Sequence, residues 1–144
     1  METGVCGDSC WCCPRYIATN SDNEALFAEL LHLYVKAGLR PVGTKAEELR
    51  CMGCKTVEQC VNYEVKACAK DRGLDSCGKC RNYPCTTINE VFKKSGEVKR
   101  KMTEALTEYE MNLFGNAFFR KKENLDRINQ RVRLKSEKAA GKTP

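Results

Sequence analysis

Histidine is almost missing from this 144-residue chain, with His32 the single one. His32 lies between Leu31 and Leu33 on an expected helix, far in sequence from every cysteine, so it reads as a helix-surface residue rather than a ligand. No paired-carboxylate motif and no glycine-rich phosphate loop appear, and these absences weigh against the commoner catalytic designs. A non-enzymatic role is favoured, with catalysis left open. No stretch approaches about 18 consecutive apolar residues, so no membrane span is expected. Residues 1–20 hold Glu2, Asp8 and four cysteines but no apolar leader core, which points to a cytoplasmic protein. Long β-branched runs, fixed-period repeats and low-complexity tracts before the last eight residues are lacking too. The fold class predicted is mainly α, with a short hairpin allowed at each cysteine knuckle.

Cysteine is abundant by contrast. Eleven are present, and none follows Cys85. Two Cys-x2-Cys pairs, Cys51/Cys54 and Cys77/Cys80, are separated by 22 residues, which suits four thiolates closing on one tetrahedral metal. Gly53 and Gly78 lie inside these turns, and Lys55 and Lys79 sit beside the sulfurs. An earlier knuckle, Cys6-Gly-Asp-Ser-Cys10-Trp-Cys12-Cys13-Pro14, offers Cys6, Cys10 and Cys13, with Cys85 the preferred fourth donor and Cys12 pointing elsewhere. The same three-cysteine spacing occurs in the cluster loop of radical S-adenosylmethionine enzymes, but that loop needs a large α/β barrel this chain cannot build. Cys60 and Cys68 are secondary candidates. They cannot share an ion if both lie on one straight helix, since eight residues rise about 12 Å. Cys68 falls on an apolar stripe with Val61 and Val65 and could be a small buried hydrophobe.

A cytoplasmic setting disfavours disulfides, and an odd cysteine count leaves one unpaired. Zinc is therefore the expected cofactor, with an iron–sulfur cluster as the alternative. Few large aliphatics lie between Cys51 and Cys85, so metal cross-links would help that segment offset its chain entropy.

The helices are read from periodicity and caps. Ser21 with Glu24 forms a capping box before an amphipathic run ending at Gly38 and Pro41. Thr44/Glu47 and Thr87/Glu90 form two more. Residues 57–71 read as a helix closed by Gly73. Ser95-Gly96 is expected to interrupt the helix after Cys85, and another break is expected near 112–115. Two units follow: a cysteine-rich metal-binding domain with zinc-knuckle turns over 1–92, and a basic helical extension over 93–144. Residues 118–144 carry nine cations against three anions, the whole formal excess of +6. This segment is a solvated helix face or a weak contact for an acidic partner, protein or nucleic acid.

At these residues the chain resembles the domain-of-unknown-function family 3795. The resemblance rests on Cys6-Gly7, Cys10, Cys13-Pro14-x-Tyr16, Cys51-x-Gly53-Cys54, Cys68-Ala69, Cys77-x2-Cys80 and Tyr83-Pro84-Cys85, and covers roughly residues 4–92. Members often have a cysteine three after Cys60 where this chain has Tyr63, and Cys12 is an addition. The resemblance implies a cysteine-rich, metal-binding protein. The expected role is a structural or interaction module with a protein partner, and the alternative is an iron–sulfur redox protein.

Overall fold

The computed structural model describes residues 3–55 and 62–141. Among these, six α-helices make up the chain: α1 (Pro14–Ser21), α2 (Glu24–Lys36), α3 (Tyr63–Asp71), α4 (Thr86–Ala105), α5 (Glu108–Phe118) and α6 (Lys121–Ala140). Short 3-10 turns stand at Cys10–Cys12, Ala46–Leu49, Gly53–Lys55 and Cys77–Lys79. The described residues contain no strand and no hairpin. A single isolated bridge joins Thr3 to Ser9.

Two cores organise the helices. The first is built on α2, whose Phe27, Leu30 and Leu33 recur on one face and bury against Ala18, Leu49, Met102, Leu106 and Phe114. The second gathers Cys6, Val65, Tyr83, Ile88, Val91 and Leu125. Helix α4 serves both, with Ile88 and Val91 in the second core and Met102 in the first. Residues on either side of 92 therefore share both cores.

Several local expectations are corrected. Asn23, not Ser21, caps α2, its side chain accepting the Leu26 N–H at 3.0 Å. Ser21 instead closes α1, donating to the Ile17 carbonyl. The Thr44/Glu47 box is displaced by one residue: Glu48 accepts the Lys45 N–H, and only a 3-10 turn follows. Helix α4 begins behind Cys85 without a side-chain cap, so Thr87/Glu90 is not a box. It runs unbroken through Ser95-Gly96, because Ser95 Oγ donates to the Phe118 carbonyl and holds α4 to α5. The break falls at Leu106, where Thr107 and Glu110 form a reciprocal box that opens α5 straight through residues 112–115.

The first half of α6 is not a solvated tail. It lies across the cysteine loops. Lys121, buried, pairs with Asp8 and donates to the Phe118 carbonyl at 3.0 Å. Asn124 Nδ2 donates to the Gly7 carbonyl, Asn129 Nδ2 donates to the Gly78 carbonyl, and the Tyr83 hydroxyl donates to Asp126. Leu125 is fully buried. The approach is so close that a Cβ on Gly78 would stand 2.7 Å from the Leu125 carbonyl, and one on Gly7 would stand 2.5 Å from that of Lys121. Beyond residue 130 only Val132 is half-buried and the helix is otherwise exposed.

Candidate functional site

The thiols gather into two clusters, and the membership differs from the expected quartet. Among the described residues Cys51 and Cys54 are not closed into one cage with Cys77 and Cys80. They meet Cys10 and Cys13 of the first knuckle. The reason is tertiary. Arg15 Nε, on α1, donates to the Leu49 carbonyl at 2.7 Å, and Thr19 Oγ1 accepts the Cys51 N–H at 2.9 Å. These bonds lash the segment before Cys51 to the helix that starts behind Cys13. Sequence reasoning missed Arg15 and Thr19, for which nothing but a tertiary contact gives a signal.

Within the first cluster the Cys10 and Cys54 sulfurs both border Gly4, each 3.3 Å from where a Cβ there would stand. The neighbouring Cys10 thiol, the Val5 N–H at 3.2 Å and the Lys66 charge hold Cys54 down to about 6, while Cys10 is driven far up. Cys13 is the N-cap residue of α1 and makes no side-chain cap bond, but its sulfur lies near the N–H groups of Arg15 and Tyr16 at the helix start, which favour the thiolate. Burial pushes Cys13 up to about 11, and the Cys51 charge is felt there too. Gly53 turns the second knuckle at φ +68 and places its carbonyl on Lys66 Nζ at 3.3 Å.

Cys6, Cys10, Cys13, Cys51 and Cys54 all line one cavity of about 450 Å3, closed elsewhere by Tyr34, Met102 and Phe118. Cys6 stands apart chemically. Its thiol donates to Asp8 at 3.6 Å and accepts from Asn62 at 3.4 Å, and burial pushes it up to about 12. Cys12 is not a lining residue and donates to the Ser9 carbonyl.

Cys85 does not join the first knuckle either. It is the N-cap of α4 and lies with Cys68, Cys77 and Cys80. Burial pushes Cys77 up to about 12, with the charges of Cys85, Cys68, Cys80 and, least, Cys54 adding to it. Arg72 donates to Cys80 Sγ at 3.8 Å, and its charge also lies beside Cys68. Cys68 is exposed, not a buried hydrophobe. Lys79 turns to Asp75 at 2.8 Å, so Arg72 is the cation set directly on these sulfurs. Gly78 is glycine for the close passage of α6, not for a positive φ. One residue tethers the clusters: Val5 donates its N–H to Cys54 and accepts the Cys77 N–H at 3.0 Å.

Cys60 lies outside the described residues. Among the described residues no disulfide forms, and no three His, Cys, Asp or Glu side chains are closed into a metal cage as they stand.

A family profile described as a protein of unknown function (DUF3795) matches residues 2–90. The chain belongs to this family. The matched span contains every cysteine of both clusters and stops before α5 and α6. No curated protein and no solved structure matches the chain. No helix among the described residues is long and apolar enough to cross a membrane.

Proposed function

We propose that this DUF3795 protein is a cytosolic zinc-binding module with two four-thiolate centres: Cys10, Cys13, Cys51 and Cys54 in one, and Cys68, Cys77, Cys80 and Cys85 in the other. The observation that carries this proposal is the approach of the Cys10 and Cys54 sulfurs, each 3.3 Å from where a Cβ on Gly4 would stand, which brings two Cys-x2-Cys knuckles together. The donor set fits. Thiolates are soft ligands suited to zinc, and four of them complete a tetrahedral structural site with no open position. The N-terminus of α1 beside Cys13 and the Arg72 guanidinium on Cys80 and near Cys68 would temper the negative charge of the sulfurs. Bound metal would supply cross-links, not chemistry. The chain's own residues would present a surface: Trp11 and Met52, at the knuckle tips, are exposed, as are Arg133, Lys135 and Lys138 on the last turns of α6. An apolar and basic face of this kind suits an acidic protein partner.

One observation favours an iron–sulfur reading of the first centre. The cavity beside its thiols, about 450 Å3, is larger than a lone ion requires. Elemental analysis of anaerobically purified protein separates the two. Colourless protein with two zinc ions per chain supports the zinc module. Iron with acid-labile sulfide and visible charge-transfer absorbance supports the cluster.

A further inference from the structure

A groove of about 710 Å3 borders both thiol clusters. Cys10 and Cys54 line it from the first, and Ser76 and Lys79 line it from the turn that carries the second. Four cations from three elements line it: Lys66 and Lys70 of α3, Lys79 of the turn, and Arg131 of α6. The only acidic side chain in the lining is Asp75, already paired with Lys79. Lys70 and Arg131 are exposed, and no ion pair engages them among the described residues. Lys66 is different. It is 3% exposed and holds the Gly53 carbonyl, so its charge lies fixed beneath the groove. The remaining wall is apolar, formed by Met52, Leu74 and Ile128, with the Tyr16 ring beside Gly53.

We infer that this groove binds a small organic phosphate, its phosphate held by Lys70, Lys79 and Arg131 and its body laid on the Met52, Leu74 and Ile128 wall. The volume falls within the ordinary range for small-molecule sites, and a few convergent charges on an apolar wall are the usual composition of one. Cations from separate elements also border one groove, as a phosphate site requires. A solvated helix face would spread its cations along a single element. The exposed end of α6, with Arg133, Lys135 and Lys138, has charge but contributes nothing to the lining. This inference stands independently of which metal the thiols hold, because its contacts are lysines, an arginine and aliphatic side chains.

The test is calorimetric titration of the full anaerobically purified chain with inorganic pyrophosphate and with adenosine diphosphate. The variants are Lys70→Glu/Arg131→Glu and, as a control for diffuse charge, Arg133→Glu/Lys138→Glu. Metal content is measured on each. Saturable binding is expected, weakened at least about tenfold in the groove variant and little changed in the control. Adenosine diphosphate should bind more tightly than pyrophosphate because only it can use the apolar wall. No saturable binding of either probe would overturn the inference, and so would equal loss in the two variants. Loss of metal from the groove variant with unchanged anion affinity would overturn it as well, and would make these cations counter-charges for the sulfurs.

Discussion

The two thiol clusters use the same Cys-x2-Cys turn, yet the molecule encloses them differently. The first is braced from three sides. Arg15 and Thr19 hold its second knuckle, Val5 reaches Cys54, and Cys13 is buried at the start of α1. The second is closed on one side only. The second core and α6 pack on the Cys77–Cys80 turn and on Cys85, while Cys68 is exposed and Arg72 meets Cys80 from the solvent side. Identical spacing can therefore serve two sites enclosed by different elements. Enclosure is set by the helices around a knuckle, not by the knuckle.

The sharpest way to break this comparison is to remove one ligand from each side. Cys13→Ser should release the first metal and destabilise the whole chain by several kcal/mol, ~3 or more, because that centre ties α1 to the Cys51 segment. Cys80→Ser should release the second metal with a smaller loss of stability and should leave the α2 core intact. Equal losses in urea unfolding would mean that the two sites are enclosed alike.

Next in size is Leu125→Ala. Leu125 is fully buried where α6 crosses the cysteine loops, and its truncation should cost about 2–5 kcal/mol. Truncation after residue 130 removes mainly exposed turns and should change neither stability nor metal content. A neutral Leu125→Ala would return α6 to the role of a solvated tail.

Gly78→Ala should cost about 1–3 kcal/mol by overpacking, since the new Cβ would stand 2.7 Å from the Leu125 carbonyl and 2.9 Å from Ile128 Cβ. The effect should disappear in the presence of a chain truncated before α6, provided that chain still folds. Persistence there would place the cost in the turn itself.

The smallest effect belongs to a site far from the thiols. Glu110 accepts Lys36 at 2.8 Å and the Thr107 N–H at 2.8 Å, which holds its carboxyl below the ordinary range. A depressed folded-state value means stabilisation that is complete above the unfolded pKa and lost as pH falls through the folded one. Lys36→Met should lower stability slightly at neutral pH, because the pair is solvent-screened, and the difference should vanish once pH falls below the folded-state value of Glu110. An equal effect at all pH values would show that packing, not charge, links α2 to α5.

The sequence carried the knuckles and the strongest helix openly. Cys51/Cys54 and Cys77/Cys80 flank 3-10 turns, and the apolar run 26–35 lies on α2, with Phe27, Leu30 and Leu33 forming its buried face. Which knuckles meet was not legible. That choice rests on Arg15 reaching the Leu49 carbonyl across 34 residues and on Val5 bridging Cys54 and Cys77, and neither has a local signature. The burial of α6 was hidden for another reason. Its apolar contacts come from Leu125 and Ile128 alone, set among cations that dominate any composition-based view of the segment. Helix starts failed where a better cap stood nearby: Asn23 displaced Ser21, and the Thr107/Glu110 box moved the α4–α5 break away from 112–115.

The central claim is the pairing of the knuckles, and native mass spectrometry of double variants tests it most directly. Cys54→Ser/Cys77→Ser removes one ligand from each proposed centre, whereas Cys13→Ser/Cys54→Ser removes two from the same one. The account predicts that the first variant loses both metals and the second loses one. Loss of a single metal from Cys54→Ser/Cys77→Ser would contradict it, because those cysteines would then share an ion.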